Sequence, residues 1–127
     1  MTITTESYVD EPIVHVAVEG VVDEEQVQQM HDEVLAACEQ IGVCYIILDA
    51  RGAEATLHEM MALLLSDRLS EMEASGQIHV VLVGTPSPNE VLDNITSPIF
   101  SDPDEALEYI QQQIATHSAG TSEDQNA

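Results

Sequence analysis

The segment Arg51-Gly-Ala-Glu54-Ala-Thr56-Leu-His58-Glu59 gathers a permanent cation, two carboxylates, a hydroxyl and an imidazole within nine residues. A guanidinium pairs with carboxylates, an imidazole changes charge near neutrality, and a hydroxyl both donates and accepts hydrogen bonds. Arg51 is one of only two basic residues in the chain, the other being Arg68. It stands just past a run that reads as a parallel strand, and ligands of open α/β sheets favour the carboxyl ends of strands. The plainer alternative for Arg51 is an ion pair with one of many carboxylates. His58 falls in the first turn of a helix, either facing a partner or standing exposed beside Glu59. Arg68, three residues before Glu71, reads as a surface ion pair.

Catalysis and metal binding ask for more than this. An enzyme needs an activated nucleophile, a paired acid and base, or a metal. No such constellation stands out, and a chain this acidic offers pairs of carboxylates by chance. His31-Asp-Glu33 invites a metal, but no two histidines are three or four residues apart and no Cys-x-x-Cys occurs. No Asp/Asn ladder with a glycine marks a calcium loop. Gly84-Thr-Pro-Ser-Pro lacks the second glycine and the lysine of a phosphate loop. Cys38 and Cys44 follow apolar spacing and read as buried thiols. The expectation is a non-enzyme without metal or cofactor.

Composition narrows the partners. The 127 residues carry 24 Asp and Glu against two basic residues, a net charge of −22, with 44% apolar content. That balance argues against nucleic acid and anionic membranes, whose phosphates would find no countercharge. No apolar run approaches the roughly 20 residues of a membrane span, and no basic-then-apolar signal peptide opens the chain. The expectation is a cytoplasmic protein. Its acids are spread along the chain rather than gathered in a block, which favours adaptation to a high-salt interior over a surface shaped for a basic partner.

The residues above must be positioned by alternating strands and helices. Ile13–Val18, Val43–Leu48 and Ile78–Val83 are short, β-branched, nearly uncharged runs, as in strands buried on both faces. Between them, Val27, Met30, Val34, Cys38 and Ile41 recur at helical steps, as do Leu57, Met61 and Leu64, followed by Leu69 and Met72. Leu107, Ile110 and Ile114 mark a last amphipathic helix. Four capping signals open helices: Asp23-Glu-Glu-Gln26, Thr56-Leu-His-Glu59, Ser87-Pro-Asn-Glu90 and Asp102-Pro-Asp-Glu105. Gly42 and Gly76 stand where left-handed residues close helices, and Thr96-Ser-Pro98 stops the short third one. Ile99-Phe100 reads as a fifth strand. Ser7–Val9 is expected to pair antiparallel with Ile13–Val18 through a turn at Asp10-Glu-Pro12. Met60-Met61 reads as core filler or as a pair reaching an interface. The result is one α/β domain over residues 1–115, a mixed but mostly parallel sheet of about five strands with four helices, the first two on one face. Residues 116–127 read as a disordered polar tail.

This order of elements resembles the STAS domain family, whose founding members are anti-sigma factor antagonists. IVHVAVEGVVDEEQVQQM is similar to the family's strand, glycine and first-helix opening, and VCYIILDA to its central strand ending in Asp49. QIHVVLVGTPSPNEVLDNI resembles the fourth strand and short third helix, and PIFSDPDEALEYI the last strand and its "EAL" helix. The resemblance covers Tyr8 to Ile114 and rests on the order of motifs, each degenerate alone.

The resemblance implies a regulatory module that docks a protein partner, an anti-sigma factor or a kinase-like ATPase, with a homodimer as a further option. In switchable members an Asp-Ser pair opens the helix after the central strand, and its serine is phosphorylated. Here that pair falls on Leu57-His58, and no serine lies between Asp49 and Leu65. Thr56 is the nearest hydroxyl, a candidate for modification or simply the helix cap. The implied partner surface is Arg51, Thr56, His58 and Glu59, with Glu54 at its rim, and binding that is constitutive. A second reading is a carrier of a small apolar ligand or lipid, in which Leu57–Leu65 lifts to expose a pocket, and a third is an enzyme with an unrecognised site.

Overall fold

A computed structural model of the chain describes residues 2–8, 11–21, 23–41, 43–54, 56–65, 67–85 and 97–126. Strand β1 (Thr2–Ser7) leads into β2 (Ile13–Gly20), helix α1 (Glu24–Ile41), β3 (Cys44–Ala53), α2 (Leu57–Leu64), α3 (Asp67–Ala74), β4 (Ile78–Val83), β5 (Ile99–Phe100) and α4 (Pro103–Asn126). The five strands form one sheet in the order β1-β2-β3-β4-β5, antiparallel between β1 and β2 and parallel elsewhere. This is the mixed, mostly parallel sheet the sequence predicts, with four helices among the described residues.

Because side chains alternate across a strand, each buried run serves both faces of the sheet. Val14, Val16 and Val18 of β2, Ile46 and Leu48 of β3, and Ile78, Val80 and Leu82 of β4 point to one face. There Val27, Met30, Val34 and Cys38 of α1 meet Leu57, Met60 and Leu64 of α2 and Leu69 and Met72 of α3. Ile13, Tyr45, Ile47, Val81 and Val83 point to the other face, where Ala106 and Ile110 of α4 cover them. Cys38 and Cys44 are buried free thiols in the first layer. His31 in α1 donates from Nε2 to the Leu63 carbonyl, which ties α1 to α2.

Two of the predicted elements take other bounds. The antiparallel edge strand is Thr2–Ser7 rather than Ser7–Val9, in register from Thr2 opposite Glu19 to Ser7 opposite Val14. The Tyr8 amide donates to the Ile13 carbonyl and closes the turn at 2.9 Å. The single helix expected from Leu57 to Met72 is two. Leu64 and Leu69 are both fully buried, yet five residues of continuous α-helix would set them roughly 140° apart. A break at Leu65 (ψ 73°) resets the phase, and the Ser70 hydroxyl donates to the carbonyl that the break frees, at 3.1 Å. Met60 is a core residue, 1% exposed, and Met61 is half-buried, so the methionine pair does not form an exposed face. The helix expected after Ser87, the Gly42 cap and the stop at Thr96 lie outside the described residues.

The helix ends follow the capping signals. Asp23 Oδ1 accepts from the Glu25 amide at 3.0 Å and Asp102 Oδ1 from the Asp104 amide at 2.8 Å. Gly76 has φ +82°, with its amide donating to Glu73 and the Gln77 amide to Met72, the paired bonds that close α3. Helix α4 continues to Asn126, while the apolar positions that pack on the sheet end at Ile114.

Candidate functional site

The sheet delivers the carboxyl end of β3 to one rim of the molecule. There β3 runs past the expected end at Leu48 as far as Ala53. Its pairing with β2 shifts between Ala17, opposite Asp49, and Glu19, opposite Gly52, so β3 carries one extra residue in this stretch. Bulges of this kind twist a strand locally and re-aim its side chains. Gly52 is required at the overrun, because a Cβ there would stand 2.9 Å from Glu19 Cγ and 3.3 Å from the Val18 carbonyl oxygen. At the next strand, Gly84 leaves room for Leu57, whose Cδ2 would lie 2.8 Å from an added Cβ. That close approach seats the first turn of α2 on the end of β4.

Asp49 and Arg51 share this bulged segment. Asp49 Oδ1 accepts from the Arg51 amide at 3.2 Å and from its Nε at 3.0 Å, while Oδ2 accepts from Nη2 at 2.9 Å. This two-pronged pairing holds the guanidinium plane in one orientation. The Asp49 side chain is 9% exposed and that of Arg51 50%, so the pair offers its cationic side outward. Burial would raise the Asp49 carboxyl, but the Arg51 hydrogen bonds and charge, with His15 nearby, hold it below the ordinary carboxylate value. Asp102 and Asp104, at the start of α4, add to the negative field around Arg51.

This lowered value fixes a pH dependence. A carboxyl whose folded-state value is depressed stabilises the fold above its unfolded value, about 3.9, and loses that contribution as pH falls through the folded value. Asp49→Asn is therefore expected to be less stable than wild type near neutrality, with the gap closing in acid. Denaturant melts from about pH 7 to about pH 2 measure the difference. A gap that stays constant over that range would contradict the assignment.

Around this fork the other predicted site residues line the connection into α2. The exposed Glu54 donates its amide to the Gly20 carbonyl at 2.8 Å, which joins the ends of β2 and β3. Thr56 Oγ1 accepts from the Glu59 amide at 3.1 Å, the helix-cap role read from the sequence, and Glu59 is exposed. The side chain of His58 lies outside the described residues. Val21, the residue after β2, is 63% exposed at the same end of the sheet. A groove of about 310 Å³ runs beside the fork, between Ala17 and Glu19 of β2 and Asp49, Arg51 and Gly52 of β3.

Arg51, Glu54, Thr56 and Glu59 thus fall in one segment at one rim, with no ion pair joining Arg51 to Glu54 or Glu59. Sequence reading did not assign Asp49 to the site, although two residues apart on one strand places it on the same face as Arg51. Val21 was also missed, because a valine after a glycine carries no signal of its own. Arg68 pairs with Glu71 at 3.9 Å with both side chains exposed, as the spacing predicts. Among the described residues no group of three or more His, Cys, Asp or Glu is placed to hold a metal ion. No helix among them is long and apolar enough to cross a membrane.

No family model and no curated protein matches the sequence. Solved structures do match the fold. One is the anti-sigma factor antagonist SpoIIAA in its unphosphorylated form, at TM-score 0.66 and 18% identity, over 87% of this chain and 98% of that one. Another is the Bacillus cell fate determinant SpoIIAA in the phosphorylated form, at TM-score 0.64 and 22% identity, over 86% and 99%. The chain therefore has the fold of SpoIIAA, the fold that the STAS resemblance implies.

Proposed function

We propose that this chain is a non-catalytic, cytoplasmic regulatory module that docks a protein partner through the rim formed by Arg51, Glu54, Thr56, His58 and Glu59. The observation that supports it is the Asp49 fork, which holds a half-exposed guanidinium at the carboxyl end of a parallel strand. Such a pre-oriented cation, beside an exposed valine and carboxylates, gives a partner a fixed polar pattern around an apolar contact. The likeness to SpoIIAA, described as an anti-sigma factor antagonist, supports an anti-sigma factor or a kinase-like ATPase as the partner. The Thr56 hydroxyl is engaged in the cap, which supports binding that is constitutive and set by partner supply. Thr56 is also the one candidate for modification at this rim, and an intact mass carrying a phosphate increment on the host-purified protein would reassign it as a switch.

Capture from a host lysate at high salt tests the docking role, with wild type and the Arg51→Glu/Glu59→Lys double variant as parallel baits. The expected result is an anti-sigma factor or kinase-like ATPase on the wild-type bait, depleted on the variant. Recovery of the bait alone, or of a second copy of the chain alone, would overturn the proposal. High salt suits the bait because we read the net charge of −22 as adaptation to a saline interior.

We further propose that the packed domain ends near residue 115 and that residues 116–127 are a polar tail outside it. Ile114 is the last apolar residue packed against the α4 face of the sheet. Truncation after Ala115 is expected to leave the melting temperature within about 2 °C of the full chain, since removing surface groups rarely costs more than about 0.5 kcal/mol. A larger fall would make the tail part of the fold.

A further inference from the structure

At the opposite end of the sheet from Arg51, the amino ends of β3 and β4 border a half-open hollow of about 390 Å³. That volume falls in the lower range of small-molecule sites. Tyr45 of β3, which is buried, and His79 of β4 both line it and stack, with ring centroids 5.0 Å apart and planes at 26°. Tyr109 and Gln113 of α4 form one wall, and Glu73 of α3 stands at the other. Tyr109 also packs against Phe100, centroid to centroid 5.4 Å.

The charges of this lining select a class of ligand. Among the described residues that line it, Glu73 is the one carboxylate and there is no arginine or lysine. None is available either, since the chain's two arginines are committed to Asp49 and Glu71. A phosphate or carboxylate ligand would find no permanent countercharge there and would meet the field of a chain at −22. A cation meets the reverse situation, with aromatic rings whose faces attract positive charge and a carboxylate beside them. Burial, with Tyr109 nearby, pushes the Tyr45 phenol above its ordinary value. The amide of Gln113 adds a hydrogen-bonding group for a polar end.

We propose that the Tyr45–Tyr109–Glu73 hollow is a binding site for a small organic cation of the quaternary ammonium type. Tyr109 provides the aromatic surface, backed by the buried Tyr45 stacked on His79, with Glu73 as the countercharge and Gln113 as a contact for a hydroxyl or carbonyl. The site is separate from the docking rim and does not depend on the partner reading.

Choline is the probe, and the chain reports on itself. It has three tyrosines and no tryptophan, and two of the three line the hollow, so intrinsic tyrosine fluorescence reads the site. The titration is run at constant ionic strength and repeated with 3,3-dimethylbutan-1-ol, which keeps the shape of choline without the charge. The expected result is a saturable change with choline and an affinity about tenfold lower for the neutral alcohol, the scale of a desolvated cation–π contact. Tyr109→Leu and Glu73→Gln are each expected to weaken choline severalfold while the melting curve stays cooperative. If Tyr109→Leu does not fold, Glu73→Gln, at a half-buried helix position, carries the test. No saturable response, equal affinity for the two probes, or unchanged affinity in the folded variants would overturn the proposal.

Discussion

Leu64→Ala is expected to lower the stability of the domain by about 2–5 kcal/mol and its melting temperature by roughly 10 °C. Leu64 closes α2 and is 0% exposed, packed into the layer that α1, α2 and α3 share with the sheet. Truncation there removes apolar contacts and leaves a cavity that the break at Leu65 cannot relax without moving Leu69. The same packing weighs against the carrier reading. Lifting α2 would expose Leu57, Met60 and Leu64, which are 3%, 1% and 0% exposed. At about 1.5–3 kcal/mol each, that opening costs roughly 5–9 kcal/mol, comparable with the whole stability of a typical domain, about 5–15 kcal/mol. A carrier would need a looser helix, and Leu64→Ala would then cost well under 2 kcal/mol in thermal or denaturant melts.

The Arg51→Glu/Glu59→Lys double variant is expected to bind the docking partner at least about tenfold more weakly, equivalent to about 1.4 kcal/mol. The two changes cancel in net charge, so the long-range field of the chain is unaltered and only the local pattern is reversed. Arg51→Glu also places a carboxylate against Asp49 and dissolves the fork, which removes the pre-orientation as well as the charge. Arg68→Glu/Glu71→Lys, a pair on α3 with both side chains exposed, is the matched control and is expected to leave affinity unchanged. Equal losses from both pairs, measured by titration calorimetry, would assign the effect to general electrostatics rather than to this rim.

Much of this arrangement is legible from residue types, because the strongest signals are local. β4 lies at Ile78–Val83 and β5 at Ile99–Phe100, as the apolar runs predict, and Thr56 and Asp102 accept at the helix starts that their capping signals mark. Features set by tertiary packing are less legible. β3 looks finished at Leu48 because Asp49, Arg51 and Gly52 read as loop residues. In the fold the first two neutralise one another, and the glycine admits β2. The β1 strand is mostly exposed, and alternation of Thr, Ile and Glu carries little apolar signal by itself. The α2–α3 break shows in sequence only as a five-residue step between Leu64 and Leu69, easily passed over among steps of three and four. At the rim, charges and hydroxyl were readable, whereas the agent that orients them, Asp49, resembled the end of a buried strand.

The docking account is tested most directly by amide hydrogen exchange on the chain alone and in complex with the partner captured from its host. It predicts slowed exchange across Arg51–Met61 and at Val21, with the β1 edge and the outer face of α4 unchanged. Protection confined to β1 or α4, with residues 51–61 exchanging as in the free chain, would contradict it.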